Sequence, residues 1–126
     1  MGERDVTGDS LDDAISSAGS VSLEIRDGAA VLRVDGALDL ALAPKLRRLA
    51  ERAARLCPSV LVIDLTDVTF LASAGMAELV RAHRGPTASA PLRVVANGRI
   101  TLRPLELTRL TDEFAIYPSL SDALAP

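Results

Sequence analysis

The chain has 126 residues, a length that favours one domain large enough to bury a core without disulfides or metal ions. Its single cysteine cannot form an internal disulfide, and its single histidine leaves no Cys/His set with the spacing of a metal site. A net charge of -3 and only Phe70, Phe114 and Tyr117 as aromatic side chains argue against a nucleic-acid partner. Neither a secretory leader nor a run of roughly 20 apolar residues is evident, so we expect a cytoplasmic protein without direct membrane insertion.

The first segment, residues 1–20, is rich in Gly, Ser and Asp and shows no sustained hydrophobic period. This composition predicts a flexible acidic tail ahead of one folded domain at residues 21–126. The tail is interpreted as a solvated leader, with an interaction arm as the alternative. Leu11 and Ile15 could form one weak helical turn within it.

A β-hairpin is predicted at the start of the domain. Apolar and polar residues alternate over residues 21–26, a second apolar run covers residues 31–34, and an Asp-Gly turn dipeptide separates them. Asp35-Gly36 is expected to end the second strand.

The first predicted helix has Pro44 in its first turn, where a missing amide costs least. Its apolar face consists of Leu46, Leu49, Ala50, Ala53, Leu56 and Cys57. Cys57 is therefore expected to face the core as a small hydrophobic residue. The charged residues that fall mostly outside this face, interpreted as a solvated surface, are Lys45, Arg47, Arg48, Glu51, Arg52 and Arg55.

The central strand of the sheet is predicted at residues 60–65. Uninterrupted apolar character over residues 60–63 is typical of a strand that is covered on both faces. A short polar loop through Thr66 and Asp67 is expected to lead from this strand towards the second helix.

The second helix is predicted to begin at Ser73, whose hydroxyl is placed to act as the N-cap. The residues on its apolar face are Met76, Leu79, Val80 and His83, and those on the opposite face are Glu78, Arg81 and Arg84. Small Ala74 and Gly75 leave the start of this helix bare. Its free amides and dipole could receive either a phosphate or an acidic group of a partner, and both readings stay open.

Four further elements complete the chain. Residues 92–96 read as a strand, and a helix is expected from about Leu102 because Pro104 is tolerated only near a first turn. Residues 114–117 read as a short strand and residues 118–125 as a short helix. The order β-β-α-β-α-β-α-β-α predicts an α/β fold, with a mixed sheet of about five strands and about four helices packed on it.

Three segments in this order resemble the STAS domain of anti-sigma factor antagonists. They are Gly36-Ala37-Leu38-Asp39, the stretch from Ile63 to Met76 that contains Ser73-Ala74-Gly75, and Ile116-Tyr117-Pro118-Ser119-Leu120. The resemblance covers about residues 21–125. It implies a protein that binds an anti-sigma factor, often a serine kinase of the histidine-kinase ATPase fold, and thereby frees a sigma factor for transcription by partner switching.

The resemblance also implies a switch at the start of the second helix. In the usual pattern an Asp and two small hydroxyl residues precede the Gly, and phosphorylation of the hydroxyl immediately before the Gly ends binding. The matching positions are Ala72, Ser73 and Ala74, so the acceptor position carries no hydroxyl. Ser73 is either a phosphorylation site or merely a capping or exposed residue. We expect binding that is constitutive or controlled in another way.

The start of the first helix departs from the pattern as well, because relatives often place Thr two residues before the Pro and this chain has Leu42. Leu40 and Leu42 cannot both join the core easily, so at least one is expected to be exposed. A single exposed leucine is ordinary. The alternative is an apolar contact patch formed by Leu40, Leu42, Ala72, Ala74 and Met76. The full set predicted to bind the partner is Asp39, Leu40, Leu42, Ala72, Ser73, Ala74, Gly75, Met76 and Glu78.

Catalysis is not expected, because the sequence has no Ser/His/Asp or Cys/His set and no glycine-rich phosphate loop, and no cofactor is predicted. His83 is interpreted as a core or boundary residue. Asp39, Asp64 and Asp67 could suggest a metal or acid/base cluster, but carboxylates at strand ends commonly accept hydrogen bonds from loop amides. A STAS domain could instead act as a ligand or nucleotide sensor, or as an accessory subunit of a lipid or anion transporter. We expect a monomer or weak dimer.

Overall fold

The computed structural model describes residues 19–85 and 88–126, which form a five-stranded sheet and four α-helices. The strands are β1 (Ser20–Arg26), β2 (Ala29–Leu38), β3 (Leu61–Leu71), β4 (Leu92–Val95) and β5 (Ala115–Tyr117). The helices are α1 (Ala43–Arg55), α2 (Ser73–Arg84), α3 (Arg103–Leu107) and α4 (Leu120–Leu124). A π-helical turn (Gly98–Leu102) leads into α3, and a 3-10 turn (Leu110–Asp112) precedes β5. The predicted acidic tail, with Leu11 and Ile15, lies outside the described residues except for Gly19 and Ser20.

The strands lie in the sheet in the order β1-β2-β3-β4-β5, so β3 is central as predicted. β1 and β2 are antiparallel, and every other neighbouring pair is parallel. Asp27 and Gly28 join the hairpin with φ angles of 49° and 85°, the left-handed conformation that a two-residue hairpin turn requires. The predicted hairpin and mixed α/β sheet are therefore confirmed.

Both inner strands are longer than the sequence pattern indicated. The predicted end of β2 at Asp35-Gly36 is wrong, because the strand continues to Leu38 with Gly36 at a φ of 89°. The predicted polar loop through Thr66 and Asp67 is also wrong, because β3 runs through these residues.

Two irregularities in the β2–β3 ladder explain this difference. Between the pairs Arg33–Asp64 and Asp35–Asp67, and again shortly afterwards, β3 advances one residue further than β2. Each extra residue is a β-bulge that shifts the side-chain alternation by one position. As a result the buried residues in the second half of β3 are three apart instead of two, at Leu65, Val68 and Leu71.

The buried carboxylate of Asp64 lies at the first irregularity. Its Oδ1 atom accepts hydrogen bonds from the amide and the hydroxyl of Thr66 at 3.0 and 2.5 Å. Its Oδ2 atom lies 3.8 Å from the Arg33 guanidinium. Asp64 therefore accepts a hydrogen bond from a backbone amide at an irregular point of the strand. This confirms the structural interpretation of this residue.

The sheet is covered on its two faces by different helices. α1, α2 and α3 pack on one face, where the largest fully buried side chains are Leu32, Leu38, Leu42, Leu46, Ile63, Leu65, Leu79 and Leu105. α4 covers the other face, where Ala123 packs with Val31, Val62 and Val95. Each fully buried Leu, Ile or Val contributes roughly 1.5–3 kcal/mol, so this aliphatic core holds the sheet and helices in fixed positions.

The carboxyl end of α1 differs from the prediction. The helix ends at Arg55, and both Leu56 and Cys57 are exposed, so their predicted place on the buried face is wrong. Cys57 adopts a φ of 51°, and this left-handed backbone directs the chain away from the helix towards Pro58. Residues beyond the last helical turn no longer follow the 3.6-residue period on which the prediction depended.

Candidate functional site

The loop between β2 and α1 meets the start of α2 at the carboxyl edge of the parallel strands. The amide of Ala72 donates to the carbonyl of Leu38 at 3.0 Å, which continues the β2–β3 ladder past the end of β3. α2 begins at the next residue, so its first turn lies beside the loop at residues 39–42. Both segments predicted to contact a partner therefore meet at one edge of the molecule.

The N-cap of α2 is Ala72, with φ and ψ of -86° and 164°, and no side chain caps it among the described residues. The predicted N-cap role of Ser73 is therefore wrong, since Ser73 is the first helical residue and is exposed. The amides of Gly75 and Met76 bond to the carbonyl of Ala72 at 3.0 and 3.1 Å. The prediction of a bare helix start is confirmed.

Gly75 is buried where α2 crosses the end of β2. A Cβ atom at this position would lie 2.5 Å from Cγ of Leu38 and 2.9 Å from its carbonyl oxygen. Glycine therefore allows the first turn of α2 to approach β2 more closely than any other residue would. This close contact sets the distance of Ser73 and Ala74 from the sheet.

Leu40 and Leu42 have opposite environments. Leu40 is 78% exposed and Leu42 only 1%, which confirms that at least one of the two is exposed. Leu42 belongs to the core, so its predicted place in a surface patch is wrong. It occupies the N-cap position of α1, and its amide donates to Oδ1 of Asp39 at 3.0 Å. The Asp39 side chain thus holds the residue that immediately precedes α1.

Phe70 and Thr108 also lie near the start of α2, and sequence reasoning did not select them. The side chain of Phe70 is 56% exposed, and this residue lies two positions before the N-cap of α2. Thr108, which follows α3, places its hydroxyl 3.8 Å from the sulfur of half-buried Met76. An aromatic residue so close to a bare helix start was the available signal for Phe70, whereas the approach of Thr108 depends on tertiary structure.

Glu78 lies on the side of α2 that faces α1, and it is buried, which corrects its predicted solvent-facing position. The guanidinium of Arg47 on α1 donates to both carboxylate oxygens, with Nη2 2.8 Å from Oε2. Arg81 adds a second contact at 3.4 Å. The hydrogen bonds from Arg47 to Glu78 and the negative charge of Glu78 raise the pKa of Arg47 above its usual value. This pair clamps α1 to α2 beneath the candidate site.

The predicted acidic residues do not converge. In the part of the chain that the structure describes, no three His, Cys, Asp or Glu side chains come together as metal ligands. Asp39 accepts a hydrogen bond from the amide of Leu42, Asp64 accepts from Thr66 at the strand irregularity, and Asp67 is exposed. Half-buried His83 contacts the ring of Phe114 edge-on, with centroids 5.8 Å apart, which confirms its boundary position.

Along residues 19–85 and 88–126, no helix has the length and apolar character needed to cross a bilayer.

Most of this chain matches a known domain family. The sequence profile of the STAS domain matches residues 20–123. The anti-sigma-F factor antagonist RsfB of Mycobacterium tuberculosis is 35% identical over 112 residues, which cover 87% of this chain and 92% of RsfB.

Solved structures agree with this match. The crystal structure of an anti-sigma factor antagonist from Mycobacterium paratuberculosis is 36% identical, with a TM-score of 0.77 over 85% of this chain and 92% of that one. Unphosphorylated SpoIIAA, an anti-sigma factor antagonist, is 12% identical with a TM-score of 0.63 over 82% of this chain and 93% of its own, and it supports the fold alone. SpoIIAA from Bacillus has also been solved in its phosphorylated form, at 14% identity and a TM-score of 0.62 over 83% of this chain and 96% of its own. The chain belongs to the STAS domain family and is a homologue of anti-sigma factor antagonists.

Proposed function

We propose that this protein is an anti-sigma factor antagonist, which binds an anti-sigma factor and thereby frees a sigma factor for transcription. The observation that carries the proposal is the 35% identity to RsfB across most of both chains. A protein of this kind acts by binding, and the described residues offer an exposed apolar edge suited to it.

The proposed binding surface, which we name the contact edge, comprises Leu40, Phe70, Ala72, Ser73, Ala74 and Met76. Exposed Leu40 and Phe70 supply apolar area, and the small residues at the start of α2 let a partner approach its free amides closely. The positive end of the helix dipole favours an acidic group of the partner at this point.

The other residues predicted to bind the partner support this edge from beneath. Asp39 and Leu42 hold the loop before α1, since the Asp39 carboxylate accepts a hydrogen bond from the amide of Leu42 and the Leu42 side chain is buried in the core. Gly75 seats α2 against β2, and Glu78 ties α2 to α1. We infer that these four residues act on binding through the shape of the contact edge.

We further propose that phosphorylation at the family position does not switch this protein, because Ala74 has no hydroxyl. A phosphate there would add roughly -1.5 to -2 charge beside the apolar surface and oppose binding. The methyl group of Ala74 cannot be phosphorylated, so this position of the contact edge stays apolar. Ser73 is exposed at the first position of α2 and is the remaining hydroxyl for a serine kinase in that turn.

The decisive experiment adds the purified protein to each anti-sigma factor–sigma factor complex of its host and measures released sigma factor by transcription in vitro. We expect release from at least one complex and loss of that release for Leu40→Glu. Leu56→Glu is the matched control, because Leu56 is also an exposed leucine but lies at the other end of α1.

Failure to release any sigma factor would overturn the proposal. Recovery of a transporter ATPase as the main partner in a pull-down from the host would instead support the role of an accessory transporter subunit.

A further inference from the structure

A row of basic side chains runs along the outer surface of α1. Lys45, Arg48, Arg52 and Arg55 are spaced three, four and three residues apart, which places them on one side of the helix. Arg48, Arg52 and Arg55 are exposed, and none of the three forms an ion pair with a carboxylate of residues 19–85 or 88–126. Their neighbour Arg47, by contrast, is bound to Glu78. We name these four residues the basic row.

The counter-charge is concentrated at the beginning of the chain. The first 18 positions hold five of the 17 acidic residues but only one of the 14 basic residues. The acidic residues of this leader are Glu3, Asp5, Asp9, Asp12 and Asp13. The folded part that follows is close to electrically balanced, so the leader accounts for the net negative charge of the protein.

The leader joins the fold at the end of α1 where the basic row begins. Gly19 is buried, and a Cβ atom there would lie 2.8 Å from Cδ2 of Leu42 and 2.7 Å from the carbonyl oxygen of Asp35. Leu42 is the N-cap of α1, so the chain passes directly beside the first turn of this helix.

The lengths of the two segments agree. At about 1.5 Å per residue, the basic row from Lys45 to Arg55 is about 15 Å long. At roughly 3.3–3.6 Å per residue, Asp12 and Asp13 can reach roughly 20–25 Å from Gly19, and the earlier acidic residues reach further. The leader can therefore place carboxylates against the whole row.

We propose that the acidic leader, residues 1–18, docks along the basic row of α1. The contact is electrostatic, and it screens the positive surface of the helix that borders the contact edge. The contact between the leader and the basic row forms regardless of which partner the contact edge binds. Because the three arginines of the row are exposed, the contact weakens as the Debye length falls from about 10 Å at 0.1 M salt to about 3 Å at 1 M.

The test uses the full chain without any partner. Cys57 is the only cysteine, is exposed and lies just beyond the basic row, so a nitroxide label on it reports which amides come close. We expect strong paramagnetic broadening of the amide signals of residues 3–13 at low salt and its loss in 1 M salt. Absence of broadening at low salt would overturn the proposal.

Two double variants separate specific docking from simple proximity of a tethered segment. Arg48→Glu/Arg52→Glu reverses the basic row and should abolish the broadening. Arg99→Glu/Arg103→Glu makes the same change in net charge at exposed arginines outside α1 and should leave the broadening intact. Equal broadening in both variants would show that it arises from the proximity of a tethered segment alone, and the proposal would be wrong. The unchanged amide spectrum of the folded domain is the control for correct folding.

Discussion

Gly75 of α2 and Leu38 of β2 are in direct contact, with room for a hydrogen atom but not for a methyl group between them. The added Cβ of Gly75→Ala would meet both the side chain and the backbone oxygen of Leu38. The side chain of Leu38 can rotate away, but its backbone oxygen can move only if the strand is distorted. We expect Gly75→Ala to lower the free energy of unfolding by about 1–3 kcal/mol, measured by urea denaturation.

A double-mutant cycle checks this cause. Leu38→Ala alone should lower the free energy of unfolding by about 2–5 kcal/mol, because it leaves a cavity in the core. In Leu38→Ala/Gly75→Ala the new methyl group occupies part of that cavity, so the combined loss should be smaller than the sum of the single losses. Strict additivity would contradict the contact as the source of the effect.

The two leucines before α1 should separate binding from stability. Leu42→Ala should lower the free energy of unfolding by about 2–5 kcal/mol, since Leu42 is fully buried. Leu40→Ala should change it by less than about 0.5 kcal/mol, since Leu40 is exposed, yet should weaken binding to the anti-sigma factor. Urea denaturation and titration calorimetry measure the two quantities. Unchanged affinity in Leu40→Ala would remove Leu40 from the contact edge.

The clamp between Arg47 and Glu78 predicts a compensating pair of variants. Arg47→Ala leaves the buried Glu78 carboxylate without its main partner and should lower the melting temperature. Arg47→Ala/Glu78→Gln should regain part of that loss, because no charge then stays buried without compensation. Calorimetry of the four proteins in the cycle measures the coupling. A double variant less stable than Arg47→Ala would show that Arg81 already compensates Glu78.

Phosphorylation should depend on residue 74. With the cognate kinase and ATP, we expect Ala74→Ser to incorporate phosphate and to lose affinity for its partner, while the natural protein does neither. Mass spectrometry and titration calorimetry give the two readouts. Stoichiometric modification of the natural protein, lost together with partner release in Ser73→Ala, would show that Ser73 has taken over the switch.

Cys57 should react rapidly with a thiol reagent in the native protein, because it is exposed at the end of α1. The rate should approach that of the urea-unfolded chain, and Cys57→Ser should abolish the signal. Slow labelling that accelerates only on unfolding would contradict the exposed position of this side chain.

The sequence predicted those parts of the fold that local pattern determines. The hairpin, the central strand and the order of helices and strands followed from alternation, turn dipeptides and helical periodicity. The length of β3 did not follow, because the bulges after Asp64 replace a two-residue period with a three-residue one. The burial of Glu78 depends on Arg47, which is distant in sequence and carries no local signal.

The candidate site was predicted to a similar extent. The exposure of at least one of Leu40 and Leu42, and the bare start of α2, followed from the residue types and their positions. Phe70 had a local signal that the prediction did not use, because it lies two residues before the N-cap of α2. Thr108 had none, because the segment after α3 approaches α2 only in the folded chain. The burial of Leu42 likewise depends on how the loop before α1 packs onto the sheet.

The order of the strands has a consequence for how the chain folds during synthesis. Each strand after β1 pairs with the strand that precedes it in the sequence. The edge on which a new strand forms its hydrogen bonds has therefore already been synthesised when that strand leaves the ribosome. No strand has to be inserted between two that are already paired, which keeps the sequence separation of contacts low for a sheet with parallel pairs. β5 and α4 are short and come after the other strands and helices, so the face that α4 covers is the last part of the sheet to be covered.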